Sequence, residues 1–259
     1  LVGSEMCIRD RDKMAISFED KVVIVTGAGG GLGRSHAIEF AKRGAKVVVN
    51  DLGGSVDGSG GSSEAANNVV KEITDSGGTA IPNGSSVIDD DGVKNMVDQA
   101  MSEFGQIDVL INNAGILRDR SFSKMSMEDF TLVNDIHLMG SVKPTKMVWE
   151  IMKEQNYGRI LVTTSSTGLY GNFGQSNYGA AKLGLVGFIN TLKLEGQKYN
   201  INCNVLCPVA YTRMTENLMP PEAEQLLTPR SVTPAVICLS SENGPTGTIL
   251  CAGAGVYSC

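Results

Sequence analysis

Short apolar runs alternate along the chain with longer stretches that repeat with a helical period. The runs are KVVIVTG (21–27), AKVVVND (45–51), TAIP (79–82), IDVLINNAG (107–115), GRILVTTSS (158–166), INCNVLCP (201–208) and TGTILCAG (246–253). Each is rich in Val and Ile and apolar on both faces, which suits a parallel strand covered on both sides by helices. Segments 32–43, 62–76, 90–104, 126–154 and 176–198 read as those helices. The alternation predicts an α/β fold: a Rossmann-type, doubly wound parallel sheet of about seven strands with right-handed crossovers. No repeat or linker divides it, so 14–259 is expected to be a single domain. In such sheets ligands sit beyond the carboxyl ends of the strands, where strand order reverses. Here the segments at those ends are GAGGGLG, DLGG, NNAG, SSTG and CPVA.

Composition narrows the picture. The chain has 259 residues, 42% of them hydrophobic, enough for a buried core. Its 31 glycines lack collagen-like or low-complexity spacing, which points to tight turns or to backbone lying close to a ligand. With 22 basic and 28 acidic residues the net charge is −6, which argues against a nucleic-acid surface. No apolar stretch approaches the roughly 18 residues of a membrane span. Six scattered cysteines and two histidines offer no metal site and argue against a His-dependent triad. Free, mostly buried thiols in a reducing compartment are expected.

Residues 1–13 (LVGSEMCIRDRDK) match nothing downstream and lack the apolar core of a signal peptide. Met14, followed by AISFEDKVVIV, looks like a natural start, so the prefix is expected to be extraneous or disordered. The terminal VYSC is no peroxisomal address and only a weak match to a prenylation box, which leaves the cytoplasm as the expected location.

Residues 26–33 (TGAGGGLG) follow the first strand and open a helix. Gly27 permits the sharp turn, and Gly31 and Gly33, flanking Leu32, let backbone and helix approach a pyrophosphate at the positive helix end. The spacing differs from G-x-G-x-x-G, and no G-K-[ST] follows, which excludes a Walker loop. Asp51 ends the second strand. A carboxylate there can accept hydrogen bonds from both adenosine ribose hydroxyls and would repel a 2′-phosphate, favouring NAD over NADP. Its bland alternative is a turn or cap aspartate. Gly30 leaves out a basic residue that could greet the extra phosphate, while Arg34 points weakly the other way.

Tyr178 and Lys182 lie four residues apart, on one helix face. Ionising a free phenol at neutral pH costs about 4 kcal/mol, which a nearby ammonium and a cationic nicotinamide would both reduce. The phenol could then exchange a proton with an alcohol or carbonyl oxygen, with Ser165 hydrogen-bonding the same oxygen. Taken singly, a Tyr–Lys pair marks a solvated face and Ser165 a polar strand end. Conjunction with the glycine loop decides for chemistry.

TGAGGGLG, NDLGG, NNAG, Ser165 with YGAAK, and TGTILCAGAG together resemble the short-chain dehydrogenase/reductase family over residues 18–255. VVVNDLGG, NNAGILRDRSF, HLMGSV, YGNFGQSNYGAAKLGL and RMTENLMP are more closely similar to the (3R)-hydroxyacyl-CoA dehydrogenase domains of type 2 peroxisomal multifunctional enzymes and their bacterial relatives. The resemblance implies NAD-linked oxidation of 3-hydroxyacyl-CoA in fatty-acid β-oxidation, by a homodimer or homotetramer. It implies that Gly27, Gly31 and Gly33 hold the pyrophosphate and Asp51 the ribose. Asn112, Asn113, Ala114 and Gly115 border the cofactor, Ser165 orients the substrate oxygen, Tyr178 is the general base, and Lys182 serves Tyr178 and the nicotinamide ribose.

The chain departs from the wider family at several positions. His137 stands where an asparagine is usual, a feature of the hydroxyacyl-CoA group, and reads either as a relay member or as a satisfied helix histidine. Asn134 lies one helical turn too early to replace it. Val209 replaces a glycine in the nicotinamide-contacting segment, where Thr212 or Thr215 could supply a hydroxyl. The adenine-flanking aspartate is missing, which leaves Ser86 and Val87 as adenine contacts. Arg118 and Arg120 could attract a CoA phosphate or make surface pairs. Met214 and Met219 could line an acyl pocket or simply pack. Alternative readings are a dehydrogenase for another secondary alcohol, cyclic alcohol or steroid, and a non-catalytic dinucleotide-binding module.

Overall fold

The computed structural model describes residues 16–216, 219–220 and 222–259. The prefix 1–13 and Met14 lie outside the described residues. One sheet holds eight strands: β1 (Val22–Thr26), β2 (Lys46–Asn50), β3 (Thr79–Asn83), β4 (Val109–Asn112), β5 (Gly158–Thr163), β6 (Ile201–Pro208), β7 (Ile249–Gly253) and β8 (Val256–Ser258). Their spatial order is β3-β2-β1-β4-β5-β6-β7-β8. The seven expected strands are present and parallel, and the eighth is a short antiparallel hairpin return against β7.

The doubly apolar runs explain the layering. Along β1, Val23 and Val25 face one layer and Ile24 the other, the two-residue alternation of a strand. The first layer is covered by α1 (Gly31–Lys42), α2 (Glu64–Asp75) and α9 (Pro229–Leu239). The second is covered by α3 (Asp90–Phe104), α5 (Gly140–Gln155) and α7 (Ser176–Gly196). Short helices α4 (Met127–Asn134), α6 (Ser166–Tyr170) and α8 (Ala223–Leu226) lie in the connections. Ser126 caps α4 by accepting from Asp129 N–H at 3.0 Å.

Besides β8 and the short helices α6 and α8, two longer elements differ from expectation. The stretch 126–154 is broken by a wider π turn, Asp135–Met139, whose extra residue per turn leaves no mark in apolar periodicity. Helix α9 was not foreseen because Pro229 and Pro234 interrupt its sequence. Pro229 sits at the helix start, where its missing N–H costs nothing, and Thr233 hydrogen-bonds Ser35 at 2.8 Å and His36 at 2.9 Å on α1. Strand order reverses between β1 and β4, and this positions the site.

Candidate active site

A cleft opens at the carboxyl ends of β1, β2 and β4. Gly27, Gly31, Leu32, Asp51, Ser86, Val87, Asn113, Ala114, Gly115 and Thr212 all line it. Gly27 turns with φ +63°, and a Cβ there would lie 2.8 Å from Ala114 Cα, so glycine serves both the turn and the crossing of two strand exits. Gly33 lies behind the cleft, packed on Gly27 O. Asn113 bridges the same two segments. Its Nδ2 donates to Thr26 O and Gly27 O at 3.1 Å, while Thr26 Oγ1 accepts from the amides of Asn113 at 3.0 Å and Ala114 at 3.1 Å.

Asp51 sits at the cleft wall with its carboxylate already oriented. Oδ2 accepts from Gly29 N–H at 2.7 Å and Oδ1 from Gly53 N–H at 2.6 Å. The residues present fit a dinucleotide. Gly31 with φ +51° and the start of α1 offer backbone N–H groups to an anion, and Asp51 offers a carboxylate on the cleft wall that could accept from hydroxyls.

Like Gly33, two further predicted contacts lie outside the cleft lining. Asn112 is buried beneath the cleft, its Nδ2 donating to Thr145 Oγ1 at 3.1 Å on α5. Val209 is not among the cleft residues, and its amide is spent on Ala252 O at 2.8 Å because the chain still follows β7 there. Arg118 is also committed: it pairs with Asp129 at 2.7 Å and donates to Asp57 O at 2.9 Å, bracing the loop after β2 rather than awaiting a phosphate. Met214 lines the cleft. Arg213 was missed from sequence; its Nη2 comes within 3.8 Å of where a Cβ on Gly30 would lie, on the cleft wall. A lone arginine in a loop carries no sequence signal for that approach.

The four candidate catalytic residues converge beside this cleft. Ser165 caps α6, its Oγ accepting from Thr167 N–H at 3.2 Å. Tyr178 and Lys182 project from α7. The Lys182 ammonium donates to Thr163 O at 2.5 Å and stands 5.4 Å from the Tyr178 ring centre. Burial pulls Lys182 down to about 7. Burial pushes Tyr178 up to about 12; its hydrogen bond with Ser165 works against this, and the Asp119 charge adds to it. With Lys182 at about 7, its amine is neutral over the range where a phenol at about 12 titrates, so the expected lowering by Lys182 is not present in the protein alone. A cation entering the cleft would act in the lowering direction.

His137 lies in the π turn, 2% exposed, edge-on to Tyr178 with ring centres 5.0 Å apart. Its Nε2 lies 2.8 Å from Ile116 O and 3.1 Å from Ile116 N. Nδ1 is buried without a hydrogen-bond partner among the described residues. Burial, and next the Lys182 charge, hold its pKa well below the ordinary value, so the ring is neutral at pH 7. Gly115 makes room for it: a Cβ there would lie 2.2 Å from His137 Cε1. The ring is thus wedged between a strand exit and the phenol, with one nitrogen satisfied and the other unused.

Comparison with known proteins agrees with this geometry. A family model for short chain dehydrogenases matches residues 21–223. The peroxisomal multifunctional enzyme A of Dictyostelium discoideum is 54% identical over 246 residues, covering 95% of this chain but 55% of that protein. The chain thus spans about half the length of that relative. A short chain dehydrogenase from Mycobacterium avium superposes with a TM-score of 0.82 at 40% identity, covering 93% of this chain and 85% of the other. A 7α-hydroxysteroid dehydrogenase solved with NADH and 7-oxo glycochenodeoxycholic acid gives 0.83 at 28% identity, covering 92% and 95%. The cytoplasmic expectation does not stand, because the Dictyostelium relative is named as a peroxisomal enzyme. No described helix is long and apolar enough to cross a membrane. The chain belongs to the short chain dehydrogenase family, enzymes that work with a nicotinamide dinucleotide on a small-molecule substrate.

Proposed function

We propose that this chain oxidises (3R)-3-hydroxyacyl-CoA to the 3-ketoacyl-CoA with NAD, in the β-oxidation of fatty acids and in a peroxisomal setting. The observation that carries the chemistry is the convergence of Ser165, Tyr178 and Lys182 beside a cleft walled by Asp51 and the glycine loop. Tyr178, as phenolate, takes the proton of the substrate hydroxyl while Ser165 donates to the same oxygen. Lys182 holds positive charge behind the phenol. When bound, the nicotinamide accepts the hydride that leaves the carbinol carbon. His137, kept neutral by burial, offers a free nitrogen for passing protons onward. Replacing Tyr178 by Phe should lower kcat by roughly 10²–10⁴-fold and leave NADH binding nearly intact. Full activity of that variant would remove the tyrosine from the chemistry.

The acyl-CoA substrate is supported by the Dictyostelium relative's name and by the sequence resemblance of the NNAGILRDRSF, HLMGSV and YGNFGQSNYGAAKLGL segments. The likeness to a hydroxysteroid dehydrogenase favours a second reading, a steroid or cyclic alcohol. Initial rates with NAD and a 3-hydroxyacyl-CoA against a steroid panel separate the two, and turnover of steroids alone would transfer the assignment. Family membership, with Ser165, Tyr178 and Lys182 intact, sets aside the non-catalytic module.

NAD rather than NADP follows from Asp51, whose carboxylate would face the 2′-phosphate. Titration should show NADH binding at least about tenfold tighter than NADPH, a difference of about 1.4 kcal/mol. Equal affinities would dissolve the preference. A homodimer or homotetramer is supported by apolar side chains left exposed on α5 and α7, namely Met147, Leu183 and Leu194. Sedimentation equilibrium that returns a monomer at micromolar concentration would overturn it.

A further inference from the structure

Gln175 belongs to none of the functional assignments made from sequence, yet its side chain is buried at 6% exposure where three segments of the active site meet. Its Nε2 donates to Asp119 Oδ2 at 2.8 Å. Its Oε1 accepts from Thr167 Oγ1 at 2.9 Å and from Asn172 Nδ2 at 3.0 Å. Because a carboxylate only accepts, the amide nitrogen faces Asp119 and the oxygen faces Thr167. The backbone of Gln175 takes part as well: its carbonyl accepts from Gly179 N–H at 2.7 Å, in the first turn of α7 and one residue past Tyr178.

Two of these partners bear on reacting groups, Thr167 on Ser165 by a hydrogen bond and Asp119 on Tyr178 by its charge. Thr167 N–H holds Ser165 Oγ at 3.2 Å. Asp119 belongs to the segment after β4, and Gln175 is its only side-chain hydrogen-bond partner among the described residues, its Oδ1 being buried and unpaired. That carboxylate depends on one amide for its place. A half-buried carboxylate with so few partners moves when its partner is lost, and the segment carrying it moves too.

We propose that Gln175 is a positioning residue for the oxidation step, holding Ser165 and Tyr178 in fixed mutual geometry by tying Thr167 and Asp119 to the start of α7. The proposal rests on the dehydrogenase reading of the site and not on which alcohol is oxidised. Small misplacements of reacting groups cost rate far more than binding.

The experiment compares Gln175→Ala, Gln175→Glu and the double variant Gln175→Glu with Asp119→Asn. Gln175→Glu keeps the acceptor for Thr167 and Asn172 but sets two carboxylates against each other. The double variant restores a donor–acceptor pair in the opposite direction at unchanged net charge. Gln175→Ala and Gln175→Glu should each lose roughly 10–100-fold in kcat, while KM for NAD and the Kd of NADH stay within about twofold. The double variant should recover most of the lost kcat. A folded Gln175→Glu protein with near wild-type kcat, a double variant no better than Gln175→Glu, or a loss of NADH affinity in step with kcat would each overturn the proposal. Wild-type enzyme inert toward 3-hydroxyacyl-CoA would end the substrate assignment instead. The variants are then read on whichever secondary alcohol it oxidises.

Discussion

Strand β5 carries a buried cationic environment at each end, and the two are built on opposite principles. At its amino end Arg159, 2% exposed, spends its donors on carbonyls: Ser241 O at 3.0 Å and Gly158 O, Asn200 O and Glu242 O at 2.8 Å. Its guanidinium also lies 4.2 Å from the Tyr157 ring centre. Nearby Asp108 accepts from Val22 N–H, Gln106 and Lys21. At the carboxyl end the Lys182 ammonium has one hydrogen bond among the described residues, to Thr163 O. In this half of the molecule Asn112 Oδ1, Thr163 Oγ1, His137 Nδ1 and Asp119 Oδ1 are buried without partners among the described residues. A saturated polar group stabilises a fold, whereas an unsaturated one costs stability and stays available for chemistry.

The sharpest way to break this comparison is to exchange the arginine. Arg159→Leu strands four carbonyls, two of them in buried contacts, and should cost about 3–5 kcal/mol of unfolding free energy in urea melts, with kcat per folded molecule unchanged. If kcat falls while stability holds, the division between the two ends is wrong.

The complementary substitution, Lys182→Met, should do the opposite. Activity should drop by roughly a hundredfold or more, while stability at pH 7 holds or rises, because a desolvated ammonium is removed. The linkage sign agrees. The folded pKa of about 7 lies below the ordinary 10.5, so burial penalises the charged form and wild-type stability rises as pH climbs from 7 toward 10.5. Lys182→Met should flatten that rise.

The smallest effect comes from the two buried histidines. Burial holds His36 at about 3 and His137 well below 6.5, so both bind protons more readily when unfolded. Their contribution is fully present above pH 6.5 and is lost as pH falls through the acid range, at about 1.4 kcal/mol per pH unit for each. Urea midpoints measured between pH 7 and pH 5 should decline, and His36→Asn should remove part of the slope. An unchanged slope in that variant would mean His36 reaches water.

Much of this was legible in the chain because parallel strands buried on both faces leave unbroken Val and Ile runs, as in Val22–Thr26 and Lys46–Asn50. The glycine loop, Asp51 and the Tyr178–Lys182 spacing are local patterns, and local patterns survive in sequence. The π turn at Asp135–Met139 and the proline-bearing helix Pro229–Leu239 are not, since tertiary packing overrides the local preference at both. Arg118 shows the same limit: its charge is readable, but its partner Asp129 is set by how two loops meet.

Sequence alone therefore determined the layered architecture, the succession of strands and helices along the chain and the residue types at the strands' carboxyl ends, because hydrophobic period and glycine spacing are properties of neighbours along the chain. Tertiary structure alone decided which polar atoms are left unpaired, that the ammonium of Lys182 lies over the Tyr178 ring and on Thr163 O, and that Gln175 joins three segments. Those outcomes depend on burial and on contacts between residues far apart in the chain, and no local pattern encodes them.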